Sequence, residues 1–584
     1  MQNTHSTSSV QVCQNCKKDF KIAKDDLNFY EKMKSPTPNY CPPCRMVRRL
    51  SFRNERTLYK RTCSKSGKPI ISVYPEKTPF PVYDQHIWWG DEWEAMDYGQ
   101  DYDSTRPFFD QWLELRNKVP RISMLNINSI GSDYCNNSED MKNCYLVFAA
   151  QKDEDSMYGR LLYRDKFVID SDFVQDSELC YECIDCRKCH KCLFSENCEA
   201  SIDLLFCLDM RDCQNCIFST NLRHKKYHIL NQPVSKEEYE AKKKEILSSY
   251  KNLEKTKKEF ESLKGQALVK FSHQIKCKKA TGDYMYNCHD VVEGYDTEDA
   301  KNCKYVADAE GPIDSMDLNN TYYKPELTLD SMGLLQTYNV KHCVYSLYSS
   351  NMEYCDSSNN CDSCFGCIGL RKKKYCILNK QYSPEEYEKL KEEIIENMSA
   401  KGGSAPGGKK ENIYGEFIPP ALSPFGYNET LAQEYYPMTE KEAREKGFNW
   451  QTQTTGTFGK ETIMEENMPK TISEVTDDIL NQILVCQDCQ KNFRITRAEL
   501  DFYKRFNIPL PHKDFECRHQ DRMKKRNPRK LWHRACMCDP SINSGQASKH
   551  PHGDKKCENE FETSYSPDRP EIVYCESCYQ QEVS

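Results

Sequence analysis

Hydrophobic residues along the 584-residue chain come in short runs that polar residues and cysteines interrupt. Such runs predict short strands, and no regular alternation of strands with helices accompanies them. Two stretches differ: a serine precedes a Glu-Glu-Tyr triplet and a charged run at Ser235 to Leu247 and again at Ser383 to Ile395. A serine before such a run predicts a capped helix in both places. No apolar run approaches the roughly 18 residues of a membrane helix.

Two regions near the ends of the chain are copies of one another. A single offset carries CQNCKKDF from Cys13 onto CQDCQKNF from Cys486, and LNFYEK onto LDFYKR, without a gap. A gapless match of about 50 residues indicates a duplicated module.

The centre of the chain contains a second duplication. The segment around Cys144 resembles that around Cys303, and the segment around Cys213 resembles that around Cys361. The first match has the larger offset, so one copy has lost about a dozen residues between the two matches.

Cysteines recur every third residue in the first central copy, from Cys180 through Cys183, Cys186 and Cys189 to Cys192. Within it, DCRKCHKCLFSEN near Cys189 resembles DMRDCQNCIFSTN near Cys213, a period of about 24 residues that favours coils of a parallel β-helix with small residues pointing inward. Two alternatives stay open. The cysteines could form extra zinc sites or an iron-sulfur cluster, although the longer last gap and the proline of ferredoxin-type clusters are missing.

Composition narrows the class of protein. The chain has 33 cysteines and a net charge of −7, and its first residues lack a basic stretch followed by an apolar one. We therefore expect a soluble cytoplasmic protein in which reduced cysteines bind metal or pack in cores. The acidic total argues against a generally cationic nucleic-acid binder.

The first terminal module carries two C-x2-C turns, the shortest arrangement that places two thiolates on one zinc ion. Pro42 and Pro43 in the second turn suit the first turn of a helix, and a hairpin-like stretch is expected between the turns. This pattern predicts a treble-clef zinc site. Its ligands are Cys13, Cys16, Cys41 and Cys44.

The second terminal module has an altered copy of this site. Asp514 stands where the third cysteine is expected, with His512 and His519 nearby, so the site holds three cysteines with an Asp or a His, or is empty. The predicted ligands are Cys486, Cys489, Asp514 and Cys517. Downstream, Cys536 has a counterpart in Cys63 and is expected to pack, which leaves a zinc ribbon formed by Cys538, Cys557, Cys575 and Cys578.

An arginine-rich stretch follows each second turn, with spacings of three or four residues that place the charges on one helix face. Such a row either contacts nucleic-acid phosphates or forms ion pairs with the acidic centre of the chain. The candidate nucleic-acid-binding residues are Arg45, Arg48, Arg49, Arg53, Arg56, Arg518, Arg522, Lys525, Arg526 and Arg529.

The run YCPPCRMVRRLSFRNERTLYKRTCSKSGKPIISVYPEKTPFPVY, together with FETSYSPDRPEIVYCESCY, resembles a family of large cysteine-rich zinc-ribbon (treble-clef) proteins from candidate-phylum bacteria. The resemblance implies zinc binding. Some members are labelled CaiB/BaiF, which implies an aspartate nucleophile in an α/β fold, but the short strands of this chain do not match such a fold.

These observations predict a multidomain, mostly β protein, with small α+β treble-clef and ribbon modules at both ends of a tandem cysteine-rich β-solenoid. The expected order is a treble clef (1–62), a degenerate ribbon and helical connector (63–124), two solenoid repeats with closing helices (125–284 and 285–398), a linker and extended segment (399–480), a second treble-clef-like module (481–535) and a zinc ribbon (536–584).

The expected function is that of a zinc-binding, non-enzymatic scaffold that contacts RNA, DNA or a ribonucleoprotein through the arginine helices. The alternatives are a protein-interaction scaffold and an iron-sulfur or other redox protein. A P-loop, GxSxG, HExxH and a dinucleotide fingerprint are all absent from the sequence. The sequence does not determine the oligomeric state.

Overall fold

The computed structural model describes residues 8–322, 326, 329, 331–335, 339–399, 404–405, 409–410, 413–453, 455–539, 552–553 and 555–583. The chain divides into two compact units, each built from two separate stretches. Unit 1 comprises Met1–Met124 and Ser272–Gln453, and unit 2 comprises Leu125–Phe271 and Thr454–Ser584. Each unit therefore combines one terminal cysteine module with one copy of the central repeat. Both are mixed α/β structures with many short strands.

Unit 1 begins with the terminal module. Its strands are Ser9–Val12, Asp19–Ile22, Tyr59–Thr62, Pro69–Ser72, Val82–Tyr83 and Arg121–Ile122, and its helices are Lys24–Lys32, Pro42–Leu50, Gln85–Trp89 and Phe108–Lys118. The later stretch has strands Gln274–Ile275, Lys278–Tyr286, His289–Glu298, Lys301–Glu310, Met316–Tyr322, Ser331–Leu335, Ser350–Glu353, Asp362–Phe365, Lys374–Ile377, Lys380–Gln381, Ser404–Ala405 and Lys409–Lys410. Helices Pro384–Met398, Leu431–Tyr435 and Glu440–Glu445 follow the strands of the repeat.

Unit 2 has the same parts in the opposite chain order. Its repeat has strands Asn126–Ile127, Ser138–Glu139, Tyr145–Phe148, Met157–Tyr163, Asp172–Gln175, Ile184–Arg187, Ile202–Leu205, Gln214–Ile217, Lys226–Ile229, Gln232–Pro233 and Leu268–Lys270, with helices Lys236–Leu247 and Tyr250–Lys264. Its terminal module has strands Leu484–Val485, Asn492–Phe493, Trp532–Ala535, Glu560–Thr563 and Ile572–Tyr574, with helices Arg497–Phe506, Phe515–Met523 and Glu576–Val583.

The central repeats consist of short parallel strands stacked in sequence order. We call residues 126–229 of unit 2 the first stack and residues 274–377 of unit 1 the second stack. In the first stack each residue pairs with the residue twelve positions later, as in Arg160 with Asp172 and Asp172 with Ile184. The second stack keeps this spacing in most pairs, including Ser350 with Asp362. The expected period of about 24 residues is therefore wrong, because 24 residues span two layers of the stack instead of one.

Side chains at every third position, many of them small, form the buried face of each stack. Cysteines of the first stack lie in one buried cluster with valines, leucines and methionines. Side chains of this face hydrogen-bond to the backbone of neighbouring layers. Ser171 Oγ accepts from the Cys183 amide at 3.0 Å, and the Cys183 thiol donates to the Cys192 carbonyl at 3.2 Å. Cysteine and serine are interchangeable in this position because both are small and both hydrogen-bond to neighbouring layers.

The backbone turns at every third residue, where non-glycine residues adopt left-handed φ angles. Asp170, Phe173, Asp176 and Leu179 have φ values of 49°, 58°, 53° and 60°. This conformation costs roughly 1–2 kcal/mol for each side-chain-bearing residue. The parallel hydrogen bonds of the intervening residues and the buried face must offset that cost throughout the stack.

A helix follows each stack, as the sequence predicts. Ser235 Oγ accepts a hydrogen bond from the Glu238 amide at 3.2 Å, and Ser383 Oγ accepts one from the Glu386 amide at 3.3 Å. Both capped helices are therefore confirmed. Among the described residues, no helix combines the length and the apolar character needed to cross a bilayer.

The expected linker between 399 and 480 needs a correction. Residues 400–403, 406–408 and 411–412 lie outside the described residues. Between residues 413 and 453, however, the chain packs within unit 1: the Tyr59 hydroxyl donates to Glu429 at 2.6 Å, and Ser423 Oγ donates to the Ser51 carbonyl at 2.7 Å. Buried Phe417, Leu422 and Phe425 add apolar contacts, so this segment belongs to the core of unit 1.

Two carboxyl groups lie on the buried face of the first stack, one layer apart. Asp153 Oδ1 accepts from the Asp165 amide at 2.8 Å, and Asp165 Oδ1 accepts from the Ser177 amide at 2.7 Å. Burial raises the pKa of Asp153 to about 8, although the Asp165 amide opposes the shift. Burial and the charge of Asp153 raise the pKa of Asp165 well above its usual range.

We expect the stability of unit 2 to fall as the pH rises. A carboxyl with a raised pKa in the folded state contributes its full stabilisation below its unfolded pKa of about 3.9, and loses it as the pH rises through the folded value. Urea unfolding between about pH 5 and 8 should therefore show a decreasing free energy of unfolding.

Asp153→Asn should flatten this pH dependence, because the amide oxygen still accepts from Asp165 and carries no charge. The control is Asp140→Asn, an exposed carboxylate on the same stack, which should leave the slope unchanged. A wild-type free energy that is level across the range would contradict the assignment.

Candidate metal centres

Four groups of side chains among the described residues bring potential metal ligands within 4.8 Å of one another. All four lie in the terminal modules. They are Cys13/Cys16/Cys41/Cys44, Cys486/Cys489/Asp514/Cys517, Cys536/Cys557/Cys575/Cys578 and Cys538/His552/Cys578.

The first group brings together the four cysteines predicted for the N-terminal site. Cys13 and Cys16 lie in the turn of the hairpin Ser9–Val12 with Asp19–Ile22. The Cys13 amide donates to the Lys18 carbonyl at 2.9 Å, and Lys17 adopts a left-handed φ of 60°. This tight turn directs both thiols to the same side.

The other two ligands lie at the start of helix Pro42–Leu50. Cys41 is the N-cap, and the two prolines occupy the first helical positions, as expected. The expected hairpin between the ligand pairs is wrong, since helix Lys24–Lys32 occupies that stretch. Acidic residues in its first turn favour a helix there.

The sulfur atoms of this group fit a tetrahedral metal ion. Cys16 Sγ lies 3.7 Å from Cys41 Sγ, close to the roughly 3.8 Å expected for two thiolates bound at about 2.3 Å. The Cys41 amide donates to Cys13 Sγ at 3.3 Å. Burial opposes ionisation of Cys13, but this amide and those of Cys16 and Asn15 lower its pKa to about 7. The thiol is thus prepared to bind a cation near neutral pH.

The second group shows that Asp514 completes the altered copy. Asp514 caps helix Phe515–Met523 through the Cys517 amide at 2.8 Å, and its other oxygen accepts from the Cys489 thiol at 3.4 Å. His512 instead stacks on Tyr250, with ring centroids 3.6 Å apart, and His519 pairs with Asp172 at 3.1 Å. Burial and the Asp514 charge raise the pKa of Cys489 to about 11.

The third group corrects the predicted ribbon ligands. Cys536, expected only to pack, lies with Cys557, Cys575 and Cys578, whereas Cys538 belongs to a separate group. Cys557 Sγ lies 3.9 Å from Cys575 Sγ, which again fits two thiolates on one ion. The Cys575 amide donates to Cys536 Sγ at 3.2 Å, matching the contact between Cys41 and Cys13.

The duplicated counterpart of Cys536 offered a clue to its position. In unit 1 the Asp84 amide donates to Cys63 Sγ at 3.3 Å, the same contact without the partner cysteines. Cys63 therefore occupies a ligand position in a site that has lost its other ligands. From the sequence, Cys63 and Cys536 were expected to pack in a core. The structure instead places both at the first ligand position of the ribbon.

Central cysteines belong to none of the four groups found among the described residues. Cys180, Cys183, Cys186, Cys189 and Cys192 are buried and direct their thiols to backbone carbonyls. The geometry therefore favours the packing alternative for these residues over extra zinc sites or a cluster.

The predicted arginine rows lie on helices Pro42–Leu50 and Phe515–Met523 and in the residues that follow them. None of the ten basic side chains is exposed. Arg48 pairs with Glu416 at 3.4 Å, Arg53 with Glu55 at 2.5 Å and Arg526 with Asp185 at 2.9 Å. Lys525 lies 3.6 Å from Glu196, while Arg56 is half-buried and Arg529 is buried. Of the two alternatives that the sequence left open, the structure shows the ion pairs with acidic residues of the chain, and the rows are internal.

The same two-arginine contact occurs in both units. In unit 1, Arg45 and Arg49 bind Asp317 at 2.9 and 3.2 Å, and Arg49 also donates to Asn319 at 2.5 Å. At the equivalent positions of unit 2, Arg518 and Arg522 bind Asp170 at 3.0 and 3.3 Å. Arg522 donates in addition to Asp172 at 2.6 Å. Each arginine helix thus docks on the stack of its own unit through equivalent residues.

Mutual pairing is essential to these buried charges. The side chains of Arg49 and Asp317 are 0% exposed, and those of Arg522 and Asp172 are 1% and 0% exposed. Desolvation offsets much of the attraction within a buried pair, whereas removal of one partner leaves an uncompensated charge. The pairs consequently determine where the helix docks more than they add to net stability.

Arg522→Ala should destabilise unit 2 by about 3–5 kcal/mol, since Asp170 and Asp172 would remain buried without their partner. Urea unfolding provides the measurement. Lys524→Ala is the matched control: Lys524 lies next to the same helix with a side chain 73% exposed, and its loss should cost less than about 1 kcal/mol. Equal losses in the two variants would refute the docking role of Arg522.

Exchanging the third ligand between the N-terminal group and its altered copy should exchange how firmly the two groups retain metal. Asp514→Cys gives the C-terminal group four thiolates, and Cys41→Asp gives the N-terminal group the carboxylate of its copy. Because borderline-soft metals prefer thiolate, we expect slower metal release to a chelator from the first variant and faster release from the second. Release rates that do not respond to either exchange would show that the carboxylate does not weaken the site.

Comparison of the chain with models of protein families and with curated proteins finds no match. The metal-binding interpretation therefore depends on the geometry of the cysteine groups in the terminal modules.

Proposed function

We propose that this chain is a zinc-dependent, non-enzymatic scaffold that binds other proteins. In each unit zinc would fix the start of the arginine helix, and the helix would lock the terminal module onto the stack. The duplicated docking of Arg45 and Arg49 on Asp317, and of Arg518 and Arg522 on Asp170, carries this proposal.

Zinc is the metal that the donor atoms favour. Groups of four thiolates, or three thiolates with a carboxylate, at the separations found here suit a tetrahedral ion of borderline softness. Cys13, Cys41, Cys44, Cys486 and Cys517 are buried, as expected of structural sites that protein ligands close. When bound, zinc supplies a fixed charge and a rigid junction between the turn and the helix.

We further propose that each stack is a β-solenoid. The twelve-residue register, the left-handed turn at every third residue and the single buried face support coils of four three-residue sides. Such solenoids present long regular surfaces, which are common in proteins that bind other proteins.

A protein is the favoured partner class because the arginine rows are not available to phosphates. The side chains expected to contact RNA or DNA are occupied by Asp170, Asp172, Asp185 and Asp317 inside the units. These buried side chains cannot form the ordered cationic stripe that would release counterions from a nucleic acid.

Metal removal should loosen the arginine helices before the stacks. After chelation, hydrogen exchange should quicken in the amides of Pro42–Leu50 and Phe515–Met523, because their first turns lose the metal, while the ladders of the stacks stay protected. Zinc repletion should restore protection. Unchanged exchange in both helices of fully metal-free protein would contradict the structural role of zinc.

A salt series separates the two partner classes. The folded, zinc-loaded protein should show no affinity for RNA or DNA that rises steeply as salt falls. The charge-reversed variant Lys524→Glu, at an exposed position beside the second row, controls for weak surface attraction. Tight binding with a steep salt dependence would overturn the protein-scaffold proposal and restore the nucleic-acid one.

A further inference from the structure

The ribbon of unit 2 carries an insertion that its counterpart in unit 1 lacks. The hairpin Tyr59–Thr62 with Pro69–Ser72 corresponds to Trp532–Ala535 with Glu560–Thr563, and the second connection is much longer. The Cys63 amide donates to Lys68 across the short turn, and the Cys536 amide donates to Asn559 across the long one. The insertion contributes three potential ligands, namely Cys538, His552 and Cys557.

Six ligand residues now surround a region that was expected to bind one ion. Cys536, Cys557, Cys575 and Cys578 form one complete four-sulfur group. Cys538 and His552 form a second group with Cys578, and the ligand atoms of the two groups do not all lie within 4.8 Å of one another. Because a tetrahedral ion accepts four ligands, one ion cannot use all six. Cys578 is the residue that the groups share.

The orientation of His552 is that of a metal ligand. Its Nδ1 lies 2.6 Å from the Lys555 carbonyl, and its Nε2 lies 3.2 Å from Cys578 Sγ. A hydrogen bond from Nδ1–H to a carbonyl oxygen fixes the tautomer that carries the lone pair on Nε2, which faces Cys578 Sγ, and ligating histidines commonly have this arrangement. Cys538 is 1% exposed and completes this three-residue group.

We propose that the ribbon binds two divalent ions of the zinc type, bridged by the Cys578 thiolate. Cys536, Cys557 and Cys575 complete the first site, while Cys538 and His552 hold the second ion, which keeps one position for water or an incoming ligand. Five thiolates, one neutral imidazole and two dications carry a net charge of −1, so the second ion neutralises most of the buried negative charge. This site goes beyond the proposed function, because one closed site would suffice to brace the ribbon.

Metal counting on the full chain tests the second ion. One ion in each of the four groups gives four zinc ions per chain after reconstitution and removal of loosely bound metal. His552→Ala should bind three. The matched control is His533→Ala, a histidine on the exposed side of the same hairpin whose partners are Glu560 and Glu562, and it should still bind four.

A wild-type count of three, whether or not His552→Ala lowers it, would overturn the two-ion ribbon and leave the other sites of the scaffold intact. Cobalt substitution supplies a second measurement on unmutated protein. A thiolate bridge couples the spins of two Co²⁺ ions, so part of the paramagnetic resonance intensity should be missing at full loading and should return in Cys538→Ser. Full, uncoupled intensity from four bound ions would refute the bridge.

Discussion

Buried pairing between arginine and aspartate determines how each unit is assembled. Arg49 and Arg522 emerge from helices whose first turns contain metal-ligand residues, and both end on carboxylates that water does not reach. A displaced helix would leave these charges unpaired inside the protein, at a cost of several kcal/mol. The docking is therefore specific to one position.

Much of the local structure follows from the sequence, because local rules govern it. The C-x2-C turns, the prolines at the start of helix Pro42–Leu50 and the serine caps after each stack all act within a few residues. The four cysteines of the N-terminal group follow from the spacing of its two C-x2-C turns, and Asp514 follows from the alignment of the duplicated module. Spacing and chemistry at short range leave few alternatives for such segments.

Long-range contacts explain what the sequence did not reveal. The arginine rows suggest a surface until their partners are known, and Asp317 lies 268 residues from Arg49 in the chain. Cys536 and Cys538 are two residues apart and have the same side chain. Only the path of the hairpin therefore decides which of the two thiols lies with Cys557. The sequence also did not reveal the twelve-residue spacing of the layers. The buried face recurs at every third residue, and adjacent layers need not resemble each other in sequence.

The twelve-residue layer also governs how such a chain changes in length. Strands of the second stack also pair at spacings of 11 and 13 residues, as in Lys278 with His289 and Leu318 with Ser331, so a layer accommodates a change of one residue. A whole added layer leaves the buried face and the turns unchanged. The central copies differ in length, between their two matching segments, by close to one layer. Gain or loss of layers would lengthen or shorten a stack in steps without disturbing the arginine docking. Related chains should therefore differ in the length of a stack mostly by whole layers of about twelve residues.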